Sequence, residues 1–289
     1  MGYLVFVTAL WAFSFSLIGV YLAGQVDSDF SVLTRVILGG LMFLPFTKWA
    51  AIRFELRLGM LAIGMLQFGV TYLCLYRSFA YLSVPEVLLF TITTPIYVAL
   101  LDDALARRFS PLALVAATLA VIGAGIIRYD GLSNSYLIGF FLLQLANLSF
   151  AAGQVGYKHL TERFPTALPK HQFFGYFYLG ALVIAGPSFA IFGNHAMLPT
   201  SALQWGVLLW LGFAASGVGL FLWNKGACRV DAGTLAVMNN ALVPAGLLVN
   251  LLIWNRDADL VRLLIGGGVI AFSLWLISSQ ARRLAGLSP

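Results

Sequence analysis

The chain has 289 residues, of which 61% are hydrophobic and 10% are charged, and its net charge is +6. Soluble domains carry about 25% charged residues and about 45–50% apolar residues, so this composition excludes a soluble enzyme and indicates a helical protein in a lipid bilayer. The basic residues lie between apolar runs and not on one face, so they do not indicate nucleic-acid binding. Cys74 and Cys228 have no metal-ligand spacing, and we expect neither a metal nor a cofactor.

Apolar runs long enough to cross a bilayer follow one another along the chain, since a helical span needs about 20 residues. We predict ten spans, at 3–23, 30–48, 58–77, 84–101, 111–128, 135–157, 172–192, 203–222, 232–252 and 262–280. Most Lys and Arg residues lie in the C-terminal tail and in the links after even-numbered spans. The positive-inside rule therefore places both termini in the cytoplasm.

The ten spans divide into two halves of five, residues 1–129 and 135–289. Pro95 in span four corresponds to Pro244 in span nine, each late in a helix interrupted by polar residues. Because five is an odd number, the two halves must have opposite topology, and inverted repeats with a site at their interface are a recurring transporter plan. We predict an all-α integral membrane protein built from two inverted five-helix repeats.

Polar and aromatic residues near mid-depth in spans one and three are candidates for binding a substrate. Trp11 and Ser14 lie in span one, and Gln67, Thr71 and Tyr72 lie in span three. Gln67 and Thr71 are four residues apart, so an α-helix places them on one face. The two large rings could stack on a substrate ring, or they could pack against helices or lipid.

Two opposite charges lie about one turn inside neighbouring spans. Arg35, in span two, could bind a carboxylate, because a planar guanidinium forms two parallel hydrogen bonds to one. Glu86, in span four, could pair with Arg35 or with Arg77, or it could take up a proton and couple transport to a proton gradient. Pro95, later in span four, is either a tolerated kink or part of a gate.

Span six carries a polar stripe. Gln144, Asn147, Ala151, Gln154 and Lys158 are spaced by three and four residues, so they share one helical face. Such a stripe in an apolar helix indicates a lined cavity, and the alternative is hydrogen bonding between packed helices. We predict that Asn147 and Gln154 bind substrate.

Span nine carries two adjacent amides, Asn239 and Asn240, in an apolar stretch, and Pro244 follows them. An amide in hydrocarbon costs several kcal/mol unless it finds a partner, so these side chains should face the protein interior or a cavity. Adjacent residues are about 100° apart around a helix, so both cannot easily face one neighbour. We predict that at least one of them faces substrate, and that Pro244 shares a gating role with Pro95.

Several strings resemble the EamA branch of the drug/metabolite transporter superfamily, and in particular its enterobacterial biotin-transporter type. They are LWAFSFS (10–16), LLFTITTPIY (88–97), GAGIIRYD (123–130), VGYKHL (155–160) and VDAGTLAVMNNALVPAGLLVN (230–250). The resemblance covers nearly the full chain and implies an inner-membrane permease that imports biotin. It brings no residue-by-residue binding motif, so the candidate site residues depend on the physical argument above.

Biotin fits the candidate residues chemically. Its ureido ring suits the Asn and Gln amides, its apolar thiophane ring suits Trp11 and Tyr72, and its carboxylate suits Arg35. We therefore predict a secondary transporter that works by alternating access between the two halves. The alternative is an exporter or exchanger of amino acids or related small metabolites. The sequence leaves open whether the protein is a monomer or a homodimer.

Overall fold

The computed structural model describes residues 1–105, 107, 134–230 and 232–254, together with isolated positions within 111–126 and 261–279. Predicted spans five and ten lie outside the continuously described stretches, and so does the linker between the two halves. The count of ten helices therefore stays a prediction.

The described stretches form helices, which we number in chain order. They are α1 (Gly2–Leu22), α2 (Ser28–Phe46), α3 (Phe54–Ser78), α4 (Val84–Leu105), α5 (Asn134–Arg163), α6 (Gly175–Phe192), α7 (Ala202–Ala227) and α8 (Ala232–Val249, continued by a π-helical turn at Asn250–Trp254). The first seven are long and apolar enough to cross a membrane, so the chain is an integral membrane protein. Each of the eight overlaps one predicted span.

Polar side chains define where several helices begin, because the first amide groups of a helix have no partner within it. The carboxylate of Asp27 caps α2. Ser83 and Glu86 form a capping box at the start of α4, and Ser201 and Gln204 form another at the start of α7. These caps fix the ends of three helices that reach the cavity described below.

Several helices depart locally from regular α-helical geometry. π-Helical turns lie at Ile18–Leu22 in α1, Met65–Val70 in α3 and Leu211–Gly219 in α7, and α4 is broken between Thr91 and Thr94. Single π-helical turns inside α-helices are frequent at functional sites. The irregular segments of α3 and α7 lie in the third and eighth predicted spans, which would be equivalent in the two predicted halves.

Small residues allow the helices to approach closely. A Cβ atom added at Gly64 in α3 would lie 1.8 Å from the carbonyl oxygen of Phe177 in α6, and one added at Gly180 in α6 would lie 2.0 Å from that of Leu61 in α3. Close backbone contact at small residues is typical of helices packed in membranes. The α6 helix therefore lies against α3, and it also packs on α2.

Candidate functional site

Seven helices, α1 to α5, α7 and α8, each contribute side chains to the wall of one cavity. Small-molecule sites have mainly apolar walls and a few placed polar groups. The lining of this cavity has the same character, so it suits a small amphipathic molecule.

Six of the nine residues predicted to bind substrate line this cavity. They are Trp11, Ser14, Arg35, Tyr72, Asn147 and Asn239. The other three, Gln67, Gln154 and Asn240, do not reach its wall. The structure thus brings together residues from five helices that are far apart in the sequence.

Arg35 lies in the cavity wall and is 1% exposed. Its Nε donates to the hydroxyl of Ser216 in α7 at 2.9 Å, and its Nη1 donates to the hydroxyl of Tyr76 in α3 at 3.1 Å. The ring centroid of Tyr72 is 4.3 Å from the guanidinium carbon, in cation–π contact. No carboxylate among the described residues forms an ion pair with Arg35.

Glu86 has a structural contact at the start of α4. Its Oε2 accepts hydrogen bonds from the amide and the hydroxyl of Ser83, both at 2.8 Å. Arg77 instead pairs with Asp29 at 2.7 Å, so neither ion pair considered for Glu86 forms between these described residues. Glu86 does not line the cavity, and its role in proton coupling stays a prediction.

The break in α4 follows from Pro95. Proline has no amide hydrogen, so the carbonyl group of Thr91, four residues earlier, loses its helical partner. The hydroxyl of Thr94 donates to that carbonyl at 2.7 Å. Thr91 and Thr94 also line the cavity, so the interrupted backbone of α4 lies at the candidate site.

Asn147 of α5 forms hydrogen bonds to the broken segment of α4 and also lines the cavity. Its Nδ2 donates to the carbonyl group of Phe90 at 2.9 Å and to the hydroxyl of Thr93 at 3.0 Å. No described residue donates to its Oδ1. Asn147 therefore forms hydrogen bonds between helices, and it also offers its Oδ1 as a hydrogen-bond acceptor in the wall of the cavity. Gln144 bonds only between helices, since its Oε1 accepts from Thr93 at 2.7 Å and it does not line the cavity.

Asn239 of α8 belongs to a buried polar cluster beside the cavity. Its Nδ2 donates to the carbonyl group of Leu235 at 2.8 Å and to Oε1 of Gln154 at 3.2 Å. The indole nitrogen of Trp223 donates to the same Gln154 oxygen at 3.0 Å. Gln154 therefore lies behind the wall and orients Asn239 and Trp223, which line the cavity. The Oδ1 of Asn240 is buried without a partner among the described residues.

Three aromatic rings in the cavity wall lie in contact with one another. The ring centroid of Trp11 is 5.0 Å from that of Trp223 and 5.9 Å from that of Phe150. The indole nitrogen of Trp11 donates to the carbonyl group of Ala215 at 2.8 Å, which fixes the ring. Beside them, the buried Oγ of Ser14 has no hydrogen-bond partner among the described residues, so it can bind a substrate group.

The remaining predicted residues lie away from the cavity. Gln67 is fully buried in the π-helical turn of α3, and neither of its amide atoms has a hydrogen-bond partner among the described residues. Pro244 lies on the outer surface of an uninterrupted stretch of α8, whereas Pro95 is buried at the break of α4. The two prolines that match in sequence thus differ in structure.

Sequence reasoning missed several groups of the site, chiefly the hydroxyls of Tyr76 and Ser216 and the ring of Trp223. Tyr76 could have been found, because it lies four residues after Tyr72 and therefore shares its helical face. Ser216 lies in an apolar, glycine-rich segment, where a serine costs little to bury and gives no comparable signal.

Comparisons with known proteins agree with a transporter. Residues 1–129 match the EamA-like transporter family. A Pseudomonas aeruginosa protein named "Probable biotin transporter" is 61% identical over 276 residues, which cover 96% of each chain. The "Biotin transporter" of Salmonella typhimurium is 48% identical over 277 residues, which cover 96% of this chain and 92% of that one. A solved crystal structure superposes with a TM-score of 0.67 over 96% of both chains at 17% identity, which shows the fold alone.

Proposed function

Because the chain belongs to the EamA-like transporter family, we propose that it is a permease that takes up biotin across the bacterial inner membrane by alternating access. Similarity to proteins named biotin transporter over 96% of the chain supports this substrate. The wall of the cavity carries the proposal chemically, since it combines one buried cation with amides and aromatic rings.

Each part of biotin has a matching group in this wall. The carboxylate matches Arg35, whose described partners are neutral hydroxyls and a ring. The ureido N–H groups match Oδ1 of Asn147, to which no described residue donates. The fused apolar ring matches the faces of Trp11, Trp223 and Phe150. Ser14 supplies an additional polar group next to these rings.

The proposed architecture is two inverted repeats of five helices, residues 1–129 and 135–289, with both termini in the cytoplasm. The π-helical turns at equivalent positions of α3 and α7 support such a repeat. The cavity lies between helices of both proposed halves, as expected for carriers of this plan. In this proposal the broken α4, with Pro95, is the element that changes shape as the site opens to each side.

The test is uptake of labelled biotin by cells that lack both biotin synthesis and their own importer. Cells that express the chain should accumulate label, and unlabelled biotin should compete. The amount of protein in the membrane is measured in parallel by immunoblot. Uptake at background level, with the protein present in the membrane, would remove the assignment to biotin.

A further inference from the structure

The contacts around Arg35 join three helices at one point of the cavity wall. Arg35 comes from α2, Tyr76 and Tyr72 from α3, and Ser216 from α7. We propose that Tyr76 and Ser216 are positioning residues that aim Arg35 as an enclosed carboxylate site, which admits a substrate only if its carboxylate is free and terminal. This inference rests on the proposed function and specifies the chemical form of the substrate.

The hydrogen-bond donors of Arg35 are only partly used. A guanidinium offers five N–H donors, and the two described bonds occupy one on Nε and one on Nη1. The other donors lie on Nη1 and Nη2, which together form the edge that binds a carboxylate through two parallel bonds. Ser216 and Tyr76 therefore leave three donors for a ligand, two on Nη2 and one on Nη1.

The charge of Arg35 has no anionic partner among the described residues. The hydroxyls of Ser216 and Tyr76 are neutral, and the ring of Tyr72 offsets the charge only in part. A buried charge without a counterion costs several kcal/mol, so an anion at this site is strongly favoured over a neutral group. The site should therefore distinguish a carboxylate from its ester or amide.

The position of Ser216 is itself fixed by a second layer of contacts. In the π-helical segment of α7, the hydroxyl of Tyr178 in α6 donates to the carbonyl group of Ser216 at 2.9 Å and to the carbonyl group of Gly217 at 3.3 Å. These bonds hold the turn in place, so Ser216 presents its Oγ to Arg35 in a fixed direction.

Burial around Arg35 adds a steric limit. Arg35, Tyr76 and Ser216 are all buried, so a carboxylate bound to Arg35 would be enclosed by protein. Conversion of the carboxyl group to an ester or a primary amide would remove its charge and add atoms at this enclosed end. We expect the free acid to be accepted, and biotin methyl ester and the primary amide of biotin to be rejected.

The first test is competition against labelled biotin uptake by the unmodified protein. Biotin methyl ester and the primary amide of biotin should each compete more weakly than unlabelled biotin, by about tenfold or more, since a hydrogen-bonded charge contributes about 1.5–3 kcal/mol. Equal competition by the ester, with biotin uptake intact, would overturn the carboxylate site and leave the proposed function standing. Absence of biotin uptake would overturn the proposed function itself.

The second test addresses the two positioning residues. Ser216→Ala and Tyr76→Phe should each raise the half-saturation concentration for biotin by roughly tenfold. Each should also reduce the difference between biotin and its methyl ester in their strength of competition against labelled biotin. Ser216→Thr, which keeps the hydroxyl, should restore most of the discrimination. If the ratio between the competing concentrations of biotin and its ester is unchanged in both variants, the two hydroxyls act only in packing.

Matched controls are available within the same bundle. Ser78→Ala removes a buried hydroxyl that bonds to its own helix, at the carbonyl group of Leu75. Tyr157→Phe removes a buried hydroxyl without a partner among the described residues. Both control variants should discriminate between biotin and its methyl ester as strongly as the unmodified protein does. Loss of discrimination in the controls as well would overturn the assignment to Ser216 and Tyr76.

Discussion

Replacing Asn147 with alanine separates the two roles that the structure gives to this amide. The change removes hydrogen bonds to the carbonyl group of Phe90 and the hydroxyl of Thr93, at 2.9 and 3.0 Å. Hydrogen bonds between membrane helices contribute about 0.6–2 kcal/mol each, so we expect a loss of about 2 kcal/mol in stability. Because the change also removes the Oδ1 acceptor from the cavity, the half-saturation concentration for biotin should rise by about tenfold.

Gln144→Ala is the matched control for Asn147→Ala. Gln144 lies one turn earlier on the same face of α5 and accepts bonds from Thr93 and Tyr97, but it does not line the cavity. Both variants should lower the melting temperature of the purified protein, and only Asn147→Ala should change the half-saturation concentration of uptake. If the two variants change uptake equally, Asn147 acts through packing, and the cavity is not the biotin site at this position.

Three further changes test the other groups of the site. Arg35→Gln should weaken uptake of the free acid by tenfold or more while barely changing competition by the ester, and equal weakening of both would make Arg35 structural. Glu86→Gln keeps the capping box, so it should leave the fold intact and remove any pH dependence of uptake; persistence of that dependence would exclude coupling through Glu86. Pro95→Ala restores an amide donor to α4, so it should lower the maximal rate of uptake several-fold without changing the half-saturation concentration. The surface change Pro244→Ala should leave both quantities unchanged. If the two variants have the same maximal rate, α4 is not the moving element.

Hydropathy locates each of the eight described helices, and it fails mainly at their ends. The predicted start of span four at residue 84 agrees with the start of α4 at Val84, where the structure shows a capping box of Ser83 and Glu86. Hydropathy predicts that span six ends at residue 157, but α5 continues to Arg163. A helix can extend beyond the apolar region with polar residues such as Lys158, and hydropathy does not detect that extension.

The sequence predicts those residues of the candidate site whose side chains cost the most free energy to bury. Arg35 and Asn147 stand out in an apolar sequence because a charge or an amide in hydrocarbon requires a partner. The same reasoning selected Gln67, which is buried away from the cavity, although Thr71 four residues later lines it. Gln67 lies in a π-helical turn, whose wider geometry breaks the spacing of four that places residues on one α-helical face. Sequence therefore predicts which side chains need partners, but local helix geometry decides where they point.

In the proposed mechanism, Asn147 also links the substrate to the shape of α4. Both N–H groups of its amide are directed at the break of that helix, where Pro95 removes a backbone bond. A substrate N–H bound at Oδ1 would polarise the amide and strengthen its donation to Phe90 and Thr93, because hydrogen bonds in a chain reinforce one another. Occupancy of the cavity would then stabilise one geometry of the broken helix over another. A carrier needs such a difference in binding between its two conformations if substrate is to shift their populations.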